Sequence, residues 1–335
     1  KKVVVGLSGG VDSSVAAYLL KEQGYDVIGV TMQIWQDAEP LETEENGGCC
    51  GLSAVEDARR VAEVLGIPYY VMNFKDEFKK HVMDYFVAEY LAGRTPNPCN
   101  ACNRYVKWEA LLRRSMEIGA DYIATGHYAR IDRMPNGRFA IRNSVTAKKD
   151  QTYALYNLTQ EQLSRTLMPV GAYTKEEIRE LAVANHLPVA HKKDSQDICF
   201  IPDGDYLNFL QSYTGKTYEN GDFLDMNGKK IGTHKGAVAY TLGQRKGLGI
   251  AMGAPVYVCS KDMAANTVTV GPNEALYSTS LLADDWNWFP FANLTESIRV
   301  QAKARYNQPP QPATVHPGEN GTARVVFDAP QRALT

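Results

Sequence analysis

Long hydrophobic runs are missing from this sequence, and cysteine is scarce. No apolar stretch approaches the roughly 20 residues that a membrane-spanning helix needs, and the apolar start at residues 3–7 is too short for a secretory signal. Because there are only 6 cysteines in 335 residues, a disulfide scaffold is excluded as well. We therefore expect a cytoplasmic protein whose reduced cysteines serve in catalysis or metal binding.

A large excess of one charge is missing too. The chain has 36 basic and 38 acidic side chains, and this near balance argues against a nucleic-acid partner. The charge is unevenly distributed, however. Residues 92–149 hold eleven basic and four acidic side chains, with Tyr105, Trp108 and Tyr128 among them, whereas residues 37–45 hold five acidic side chains and no basic one. The first segment predicts a surface that faces RNA, and the second predicts a solvated loop.

Strand and helix patterns alternate over the first 200 residues. Strands are predicted at residues 3–7, 25–34, 67–74 and 121–129, and helices at 13–23, 53–65, 76–91 and 103–118. This order is typical of a parallel sheet with helices on both sides. Further strands are predicted at 237–241, 255–259, 267–270, 298–304 and 322–327. We predict an α/β domain at 1–203 followed by two small, mainly β domains, a central one at 204–280 and a C-terminal β-barrel at 281–335.

A glycine-rich loop joins the first strand to the first helix. It reads Gly6-Leu7-Ser8-Gly9-Gly10-Val11-Asp12-Ser13-Ser14. Small residues let backbone N–H groups approach a phosphate, and the helix start adds positive potential. The three serines add hydroxyl donors, and Asp12 adds an acidic group near a predicted Mg²⁺ ion. No Lys-Ser/Thr pair follows the glycines, so this is not a Walker A loop. The alternative, a tight turn that needs glycine only for its geometry, does not explain so many donors.

Residues 8–13 resemble the PP-loop of N-type ATP pyrophosphatases, which split ATP into AMP and pyrophosphate and adenylate an oxygen of their substrate. Further stretches resemble one family of this group, the tRNA-specific 2-thiouridylases (MnmA type). They are GRTPNP (93–98), ATGHYA (124–129), KDQTY (149–153), DSQDICFI (194–201), TLGQRKGLG (241–249) and AKARY (302–306). The resemblance implies a first domain of the adenine nucleotide alpha hydrolase type. It also implies ATP-dependent 2-thiolation of the wobble uridine, position 34, of tRNA.

The resemblance further implies roles for particular residues. Cys102 matches the catalytic cysteine, and Cys199 matches the cysteine that carries a persulfide. The residues implied to bind ATP are Gly6, Leu7, Ser8, Gly9, Gly10, Val11, Asp12, Ser13, Met32 and Gly126. Those implied to contact the target base are Asn97, Pro98 and Cys99, and those implied to contact tRNA are His127, Lys149, Asp150, Gln151, Arg305 and Tyr306.

Cofactors and partners follow from the same resemblance. ATP and Mg²⁺ are the expected cofactors, and tRNAs for Lys, Glu and Gln are the expected substrates. A cysteine desulfurase or a sulfur-relay protein is the expected sulfur donor. The family also has a tRNA-contacting glutamine just beyond Thr335, so we expect the C-terminal domain to be incomplete here and to contact tRNA.

Cys99 departs from the commoner form of the family, which has aspartate at this position. It forms a CxxC motif with Cys102. Three hypotheses stay open. In the first, Cys102 and Cys199 work as a dithiol by the persulfide route and form a disulfide. In the second, Cys99, Cys102 and Cys199 hold a [4Fe–4S] cluster with one open iron. In the third, the CxxC holds a structural zinc.

The remaining cysteines have simpler interpretations. Cys49 and Cys50 lie in a glycine-rich loop, where a structural role is expected, with zinc binding or an auxiliary redox role as the alternatives. Cys259 lies in an alternating strand and is expected to be a small core residue.

Two other functions are compatible with parts of the sequence. One is a PP-loop amidotransferase or ligase that acts on a small metabolite, which does not call for clustered cysteines. The other is an RNA-binding protein with a structural zinc at the CxxC motif. Pyrophosphate release that depends on unmodified tRNA separates both of these from thiolation.

Overall fold

The computed structural model describes residues 1–34, 52–194 and 198–334. The predicted acidic loop at 37–45, together with Cys49 and Cys50, lies outside these residues. The chain forms two compact units. The first comprises Lys1–Asp84 and Pro98–Gly204, and the second comprises Tyr85–Asn97 and Asp205–Thr335.

The first unit is built from strands and helices that alternate along the chain. Its strands are β1 (Lys2–Gly6), β2 (Asp26–Gln33), β3 (Tyr69–Asn73), β4 (Tyr122–Ala124), β5 (Ala129–Arg133), β6 (Phe139–Asn143) and β7 (Thr166–Leu167). Its helices are α1 (Val11–Glu22), α2 (Leu52–Leu65), α3 (Lys75–Phe78), π1 (Lys79–Met83), α4 (Asp84–Leu91, which enters the second unit), α5 (Pro98–Ala101), π2 (Cys102–Leu111), α6 (Leu112–Glu117), α7 (Gln160–Ser164) and α8 (Lys175–Ala184). The segments π1 and π2 are π-helical.

A parallel sheet in the order β3-β2-β1-β4-β7 forms the centre of the first unit. Strand β1 lies in the middle because its three consecutive valines, Val3 to Val5, are fully buried on both faces. Its neighbours are β2 on one side and β4 on the other. The strand order therefore reverses at β1: β2 and β3 lie on one side of it, and β4 and β7 lie on the other. In open α/β sheets, ligands bind at the carboxyl ends of the strands next to such a switch point.

The second unit contains the other two large sheets. Its elements are α9 (Tyr206–Thr214), β8 (Gly221–Leu224), β9 (Lys230–His234), β10 (Tyr257–Asp262), β11 (Thr267–Gly271), β12 (Tyr277–Ala283), β13 (Ile298–Ala302), β14 (Gln311–Pro317) and β15 (Ala323–Arg332). One sheet has the order β10-β11-β8-β9, and the other is antiparallel with the order β12-β15-β14-β13. Each sheet has its own apolar core, centred on Phe223 and on Phe327 respectively.

The predicted fold class, a parallel α/β sheet followed by mainly β structure, is confirmed. The strand predicted at 237–241 is wrong, because residues Ala237–Ala239 form a turn of 3₁₀ helix. Side chains capture the backbone donors there. The N–H of Gly236 donates to Nδ1 of His234 at 3.0 Å, and the N–H of Ala237 donates to Asn266 at 2.9 Å. Within the described part of the chain, no helix has both the length and the apolarity needed to cross a membrane.

Candidate active site

The glycine-rich loop leaves the carboxyl end of β1 and leads into α1. Gly10 precedes the helix, and no side chain caps the first turn. The leading N–H groups of a helix have no partner within the helix, so an uncapped start is suited to bind an anion. Residues of β2 and β3 hold the loop in place: Thr31 donates to the carbonyl of Leu7 at 2.7 Å, and Tyr69 donates to Thr31 at 2.8 Å.

The three serines of the loop differ in what they can offer a ligand. Ser8 is exposed. The hydroxyl of Ser13 accepts the N–H of Ser8 at 3.2 Å and donates to the carbonyl of Gly10 at 3.3 Å. Ser14 is fully buried, and its hydroxyl donates to the same carbonyl at 2.8 Å. The hydroxyls of Ser13 and Ser14 therefore stabilise the start of α1, and their role as donors to a ligand stays a prediction.

Two glycines allow backbone to approach the loop closely. Gly9 has φ +70°, and a Cβ there would lie 2.4 Å from the carbonyl oxygen of Ala54. A Cβ on Gly126, which follows β4, would lie 2.5 Å from the backbone nitrogen of Ser13. The segment after β4 therefore touches the first turn of α1 directly. Met32, near the end of β2, is half-buried at the same edge of the sheet. The structure thus gathers the residues predicted to bind ATP at the switch point.

A chain of ion pairs extends from α1 to the segment that precedes Cys199. The ammonium of Lys175, at the start of α8, lies 2.6 Å from Asp12 and 2.9 Å from Asp194. The hydroxyl of Tyr128 donates to the same oxygen of Asp12 at 2.7 Å. Asp194 also pairs with Lys149 at 2.8 Å and with Arg179 at 3.0 Å. Asp12 is therefore an anchor for a buried cation in this structure.

The network shifts the protonation of its members. Burial alone would raise the pKa of Asp194, but its hydrogen bonds with Lys149 and Lys175 outweigh this effect and lower the pKa to about 2. Burial, followed by the charge of Asp12, raises the pKa of Tyr128. At neutral pH the carboxylate of Asp194 is therefore ionised and the phenol of Tyr128 is protonated.

A second lysine contacts the loop itself. The ammonium of Lys192 donates to the carbonyl of Gly9 at 3.1 Å and pairs with Asp57 of α2 at 2.7 Å. Its side chain is partly exposed. Lys192 therefore ties the loop to α2 and places a cation beside it.

The KDQTY stretch is held mainly by hydrogen bonds within the protein. The carboxylate of Asp150 accepts the N–H groups of Ser144 and Thr152 at 2.8 and 3.1 Å. Gln151 accepts the N–H of Tyr128 at 2.9 Å and donates its own N–H to the carbonyl of Tyr128. Asp150 and Gln151 therefore shape this turn. Their predicted contacts with tRNA stay a prediction.

His127 is predicted to contact tRNA, and it carries no charge at neutral pH. Burial, with a smaller effect of the Lys107 charge, lowers its pKa well below the usual value. Nδ1 lies 2.7 Å from the hydroxyl of Thr125, and the ring lies 5.4 Å from that of Trp108. A contact of His127 with RNA would therefore rely on stacking or hydrogen bonding.

Cys99 and Cys102 lie at the start of one helical run, formed by α5, π2 and α6. Cys99 is exposed and Cys102 is half-buried. Trp108 fixes this run, because it is fully buried and its indole N–H donates to Thr166 at 2.9 Å. π-Helical turns are rare overall, but those that occur are often found at functional sites. Here one begins at Cys102.

Cys199 is half-buried and is followed by apolar anchors. The ring of Phe200 meets that of Phe78 at 5.7 Å in an edge-to-face contact, and Ile201 is buried. Among the described residues, no three His, Cys, Asp or Glu side chains are grouped to hold a metal ion. Cys99, Cys102 and Cys199 therefore do not form a three-thiolate site in this conformation.

The remaining predicted contacts lie in several elements. Pro98 is the buried first residue of α5, and Asn97 precedes it as the last residue of its segment in the second unit. Also in that unit, the guanidinium of Arg305 donates to the carbonyl of Leu242 at 3.3 Å. Tyr306 is exposed, with the ammonium of Lys303 at 5.3 Å from its ring centre. Arg305 therefore joins the AKARY stretch to TLGQRKGLG.

The basic segment at 92–149 is partly neutralised. Its ion pairs include Arg94–Glu89, Arg113–Glu117, Arg114–Glu77, Arg142–Asp132 and Lys149–Asp194. Three of the acidic partners lie outside the segment, so the folded charge is smaller than the sequence count. Its role as an RNA-facing surface stays a prediction.

Sequence reasoning missed the lysines of this site. Lys175 and Lys192 lie outside every stretch that resembles the family, yet both contact residues of the glycine-rich loop. One signal was present, because Thr174 and Glu177 form a capping box that places Lys175 at a helix start. The pairing of Lys175 with Asp12 is non-local and could not be read from spacing.

Comparisons with known proteins match the whole chain. Residues 1–203 match the family described as tRNA methyl transferase HUP domain, residues 207–272 the tRNA methyl transferase PRC-barrel domain, and residues 278–335 the aminomethyltransferase beta-barrel domain. Proteins called tRNA-specific 2-thiouridylase MnmA from Lachnoclostridium phytofermentans and Clostridioides difficile are 61% and 54% identical to the chain, which is covered completely. The alignments cover 94% and 92% of those proteins.

Proposed function

The chain belongs to the tRNA-specific 2-thiouridylase family, and we propose that it converts the wobble uridine of tRNA to 2-thiouridine with release of AMP and pyrophosphate. It is a tRNA sulfurtransferase that uses ATP. Full-length identity of 61% with a protein of that name carries this conclusion. The glycine-rich loop at the switch point supports it independently, because a phosphate-binding loop is what the adenylation step needs.

Adenylation solves the first chemical problem. The C2 oxygen of uracil is a poor leaving group. It attacks the α-phosphate of ATP, pyrophosphate departs, and the oxygen becomes part of AMP, which is a good leaving group. The uncapped start of α1 and the exposed hydroxyl of Ser8 are suited to stabilise the phosphate charge that develops. Mg²⁺ would neutralise phosphate charge and take most of its ligands from the phosphates and water. Asp12 fits an anchoring role better than a ligand role, because Lys175 and Tyr128 already engage one of its oxygens.

Sulfur transfer follows by the cysteine pair. We assign the persulfide to Cys199, whose terminal sulfur adds at C2 while AMP leaves with the former C2 oxygen. The thiolate of Cys102 then attacks the Sγ atom of Cys199. The sulfur–sulfur bond breaks, the 2-thiouridine is released, and a Cys102–Cys199 disulfide forms, which a dithiol reductant resets. Thiolates and persulfides are competent nucleophiles near neutral pH, which favours cysteine here.

The iron–sulfur scheme remains a separate hypothesis. It needs Cys99, Cys102 and Cys199 to converge on one cluster, and no such grouping exists among the described residues. The residues in this conformation do not fit a cluster. Iron and acid-labile sulfide in anaerobically purified protein test the scheme, and their absence would exclude it.

Several further assignments belong to the same proposal. Domain boundaries near 203 and 280, cytoplasmic location and the Lys, Glu and Gln tRNA acceptors are proposed on the family resemblance. A cysteine desulfurase or sulfur-relay protein is proposed as the donor. Unpaired bases of an anticodon loop can be extruded at little cost, which suits a pocket enzyme.

The central experiment measures two products in one reaction. The full chain is incubated with ATP, Mg²⁺, a sulfur donor and an unmodified tRNA transcript for Lys. We expect pyrophosphate release that depends on tRNA, and 2-thiouridine in the nuclease digest by mass spectrometry. A transcript with cytidine at position 34 is the control. A methylated nucleoside without ATP cleavage would follow the description of the matched HUP-domain family instead, and would overturn the proposal.

A matched pair of cysteine variants tests the sulfur carrier. Cys199→Ala should abolish thiolation and leave tRNA binding nearly intact. Cys259→Ala is the control, because Cys259 lies in β10 with its thiol donating to the carbonyl of Tyr257 at 3.3 Å. Thiolation by Cys199→Ala would show that another residue carries the sulfur.

A further inference from the structure

Asp194 is a hub of three cations, and it precedes Cys199 by five residues. Lys149, Lys175 and Arg179 all lie within 3.0 Å of its carboxylate oxygens. They come from two separate parts of the first unit, the turn after β6 and the first turns of α8. The Lys175–Asp194 pair is the least exposed of the three, with side chains 8% and 24% exposed, so water screens it weakly. The chain is therefore held by ion pairs at Asp194, five residues before Cys199.

Lys175 connects Asp194 to the glycine-rich loop. Its side chain is 8% exposed, and its ammonium lies between the carboxylates of Asp12 and Asp194. Asp12 belongs to the glycine-rich loop sequence and lies in the first turn of α1. A buried cation shared by two carboxylates fixes their separation, because moving either one leaves charge unpaired. The position of Asp194 is thus tied to the position of α1.

Directly after Cys199, the chain is held by apolar contacts. Phe200 packs against Phe78 of α3, and α3 packs against π2, the segment that begins at Cys102. Cys199 therefore lies between one anchor connected to the ATP loop and another connected to the helix of Cys102. Two anchors of different kinds, one on each side, limit the path that Cys199 can take.

We propose that Asp194 is a positioning residue for sulfur transfer. Through Lys175, it fixes the chain that leads to Cys199 relative to the glycine-rich loop. The inference rests on the proposed function, since it concerns the delivery of sulfur by Cys199. Asp194 touches no reacting atom in this scheme. Its loss therefore affects the transfer of sulfur more than the adenylation of uracil, because the pair of Lys175 with Asp12 remains.

The test separates the two half-reactions in the full chain. Asp194→Asn keeps the size of the side chain and removes the charge. We expect single-turnover thiolation from persulfide-loaded protein to fall by about tenfold or more, while tRNA-dependent pyrophosphate release stays within roughly twofold. Iodoacetamide should alkylate Cys199 at least about threefold faster in the variant, measured by peptide mass spectrometry in the absence of tRNA and ATP.

Two further variants protect the conclusion against misfolding. Arg179→Gln removes one of the three cations and should shift alkylation and thiolation in the same direction by a smaller factor. Asp328→Asn breaks an ion pair with Arg299 in the second unit and should change neither quantity. Equal falls in pyrophosphate release and thiolation, or unchanged alkylation of Cys199, would overturn the positioning role. Failure of the wild-type chain to make 2-thiouridine would refute the proposed function instead, while the alkylation result would still report on the anchor.

Discussion

Gly126→Ala is the sharpest test of the phosphate-loop geometry. A Cβ at this position would lie 2.5 Å from the nitrogen of Ser13, 2.7 Å from the carbonyl carbon of Asp12 and 2.9 Å from the Cα of Ser13. All three are backbone atoms of the first turn of α1, so no side chain can rotate away. The helix start or the segment after β4 must move. Overpacking of this kind costs about 1–3 kcal/mol.

The assay compares ATP binding and thermal stability. If ATP binding requires the undistorted helix start, that cost weakens ATP affinity by about 5- to 150-fold in titration calorimetry. The melting temperature should fall by several degrees, roughly 2–4 °C per kcal/mol for a domain of this size. Gly6→Ala is the steric contrast for melting, because its Cβ would meet no atom closer than 3.9 Å. ATP binding within twofold of wild type for Gly126→Ala, with an unchanged melting temperature, would refute the reasoning.

Three more predictions concern the charge network. The pKa of Asp194 is lowered to about 2 from 3.8, so its carboxylate contributes about 2 kcal/mol of stability above pH 4, and this is lost as the pH falls through 2. The difference in unfolding free energy between wild type and Asp194→Asn should therefore shrink in urea titrations below pH 4, and a constant difference would contradict this. Tyr128→Phe removes a 2.7 Å hydrogen bond to Asp12 and should raise the KM for ATP by about tenfold; an unchanged KM would argue against the anchor. Lys192→Met releases the carbonyl of Gly9 and should weaken ATP binding by about threefold to tenfold, with calorimetry as the measurement and wild-type affinity as the contrary result.

Local patterns predicted much of the first unit. The three buried valines of β1 and the apolar spacing of the first two helices are local patterns. Strands β1, β2 and β3 and helices α1 and α2 therefore lie within about two residues of their predicted bounds. The strand predicted at 121–129 is instead divided between β4 and β5. Between them, residues 125–128 leave the sheet to contact α1, Trp108 and Asp12. A tertiary contact of this kind has no signature in local hydropathy.

The site was predictable by residue type but not by partner. The glycine-rich motif indicated an acidic group near Mg²⁺ at Asp12, and the family resemblance implied a tRNA contact for Asp150; both stay predictions. In the structure, Asp12 binds Lys175, and Asp150 binds the backbone of Ser144 and Thr152. Ion pairs across 163 residues of sequence depend on how α1 and α8 pack, which composition and spacing do not encode.

The chain crosses between its two units three times, and this has a consequence for dissecting the protein. Residues 85–97 leave the first unit, contribute to the second, and return at Pro98. Phe86 is fully buried, and its ring lies 5.9 Å from that of Phe209 and 6.1 Å from that of Tyr206, both in α9. A fragment that ends at Gly204 would keep Phe86 and lose α9, so it would expose an aromatic surface that the intact chain buries. A single cleavage after Gly204 does not liberate an intact catalytic module, and limited proteolysis there should yield aggregation-prone pieces.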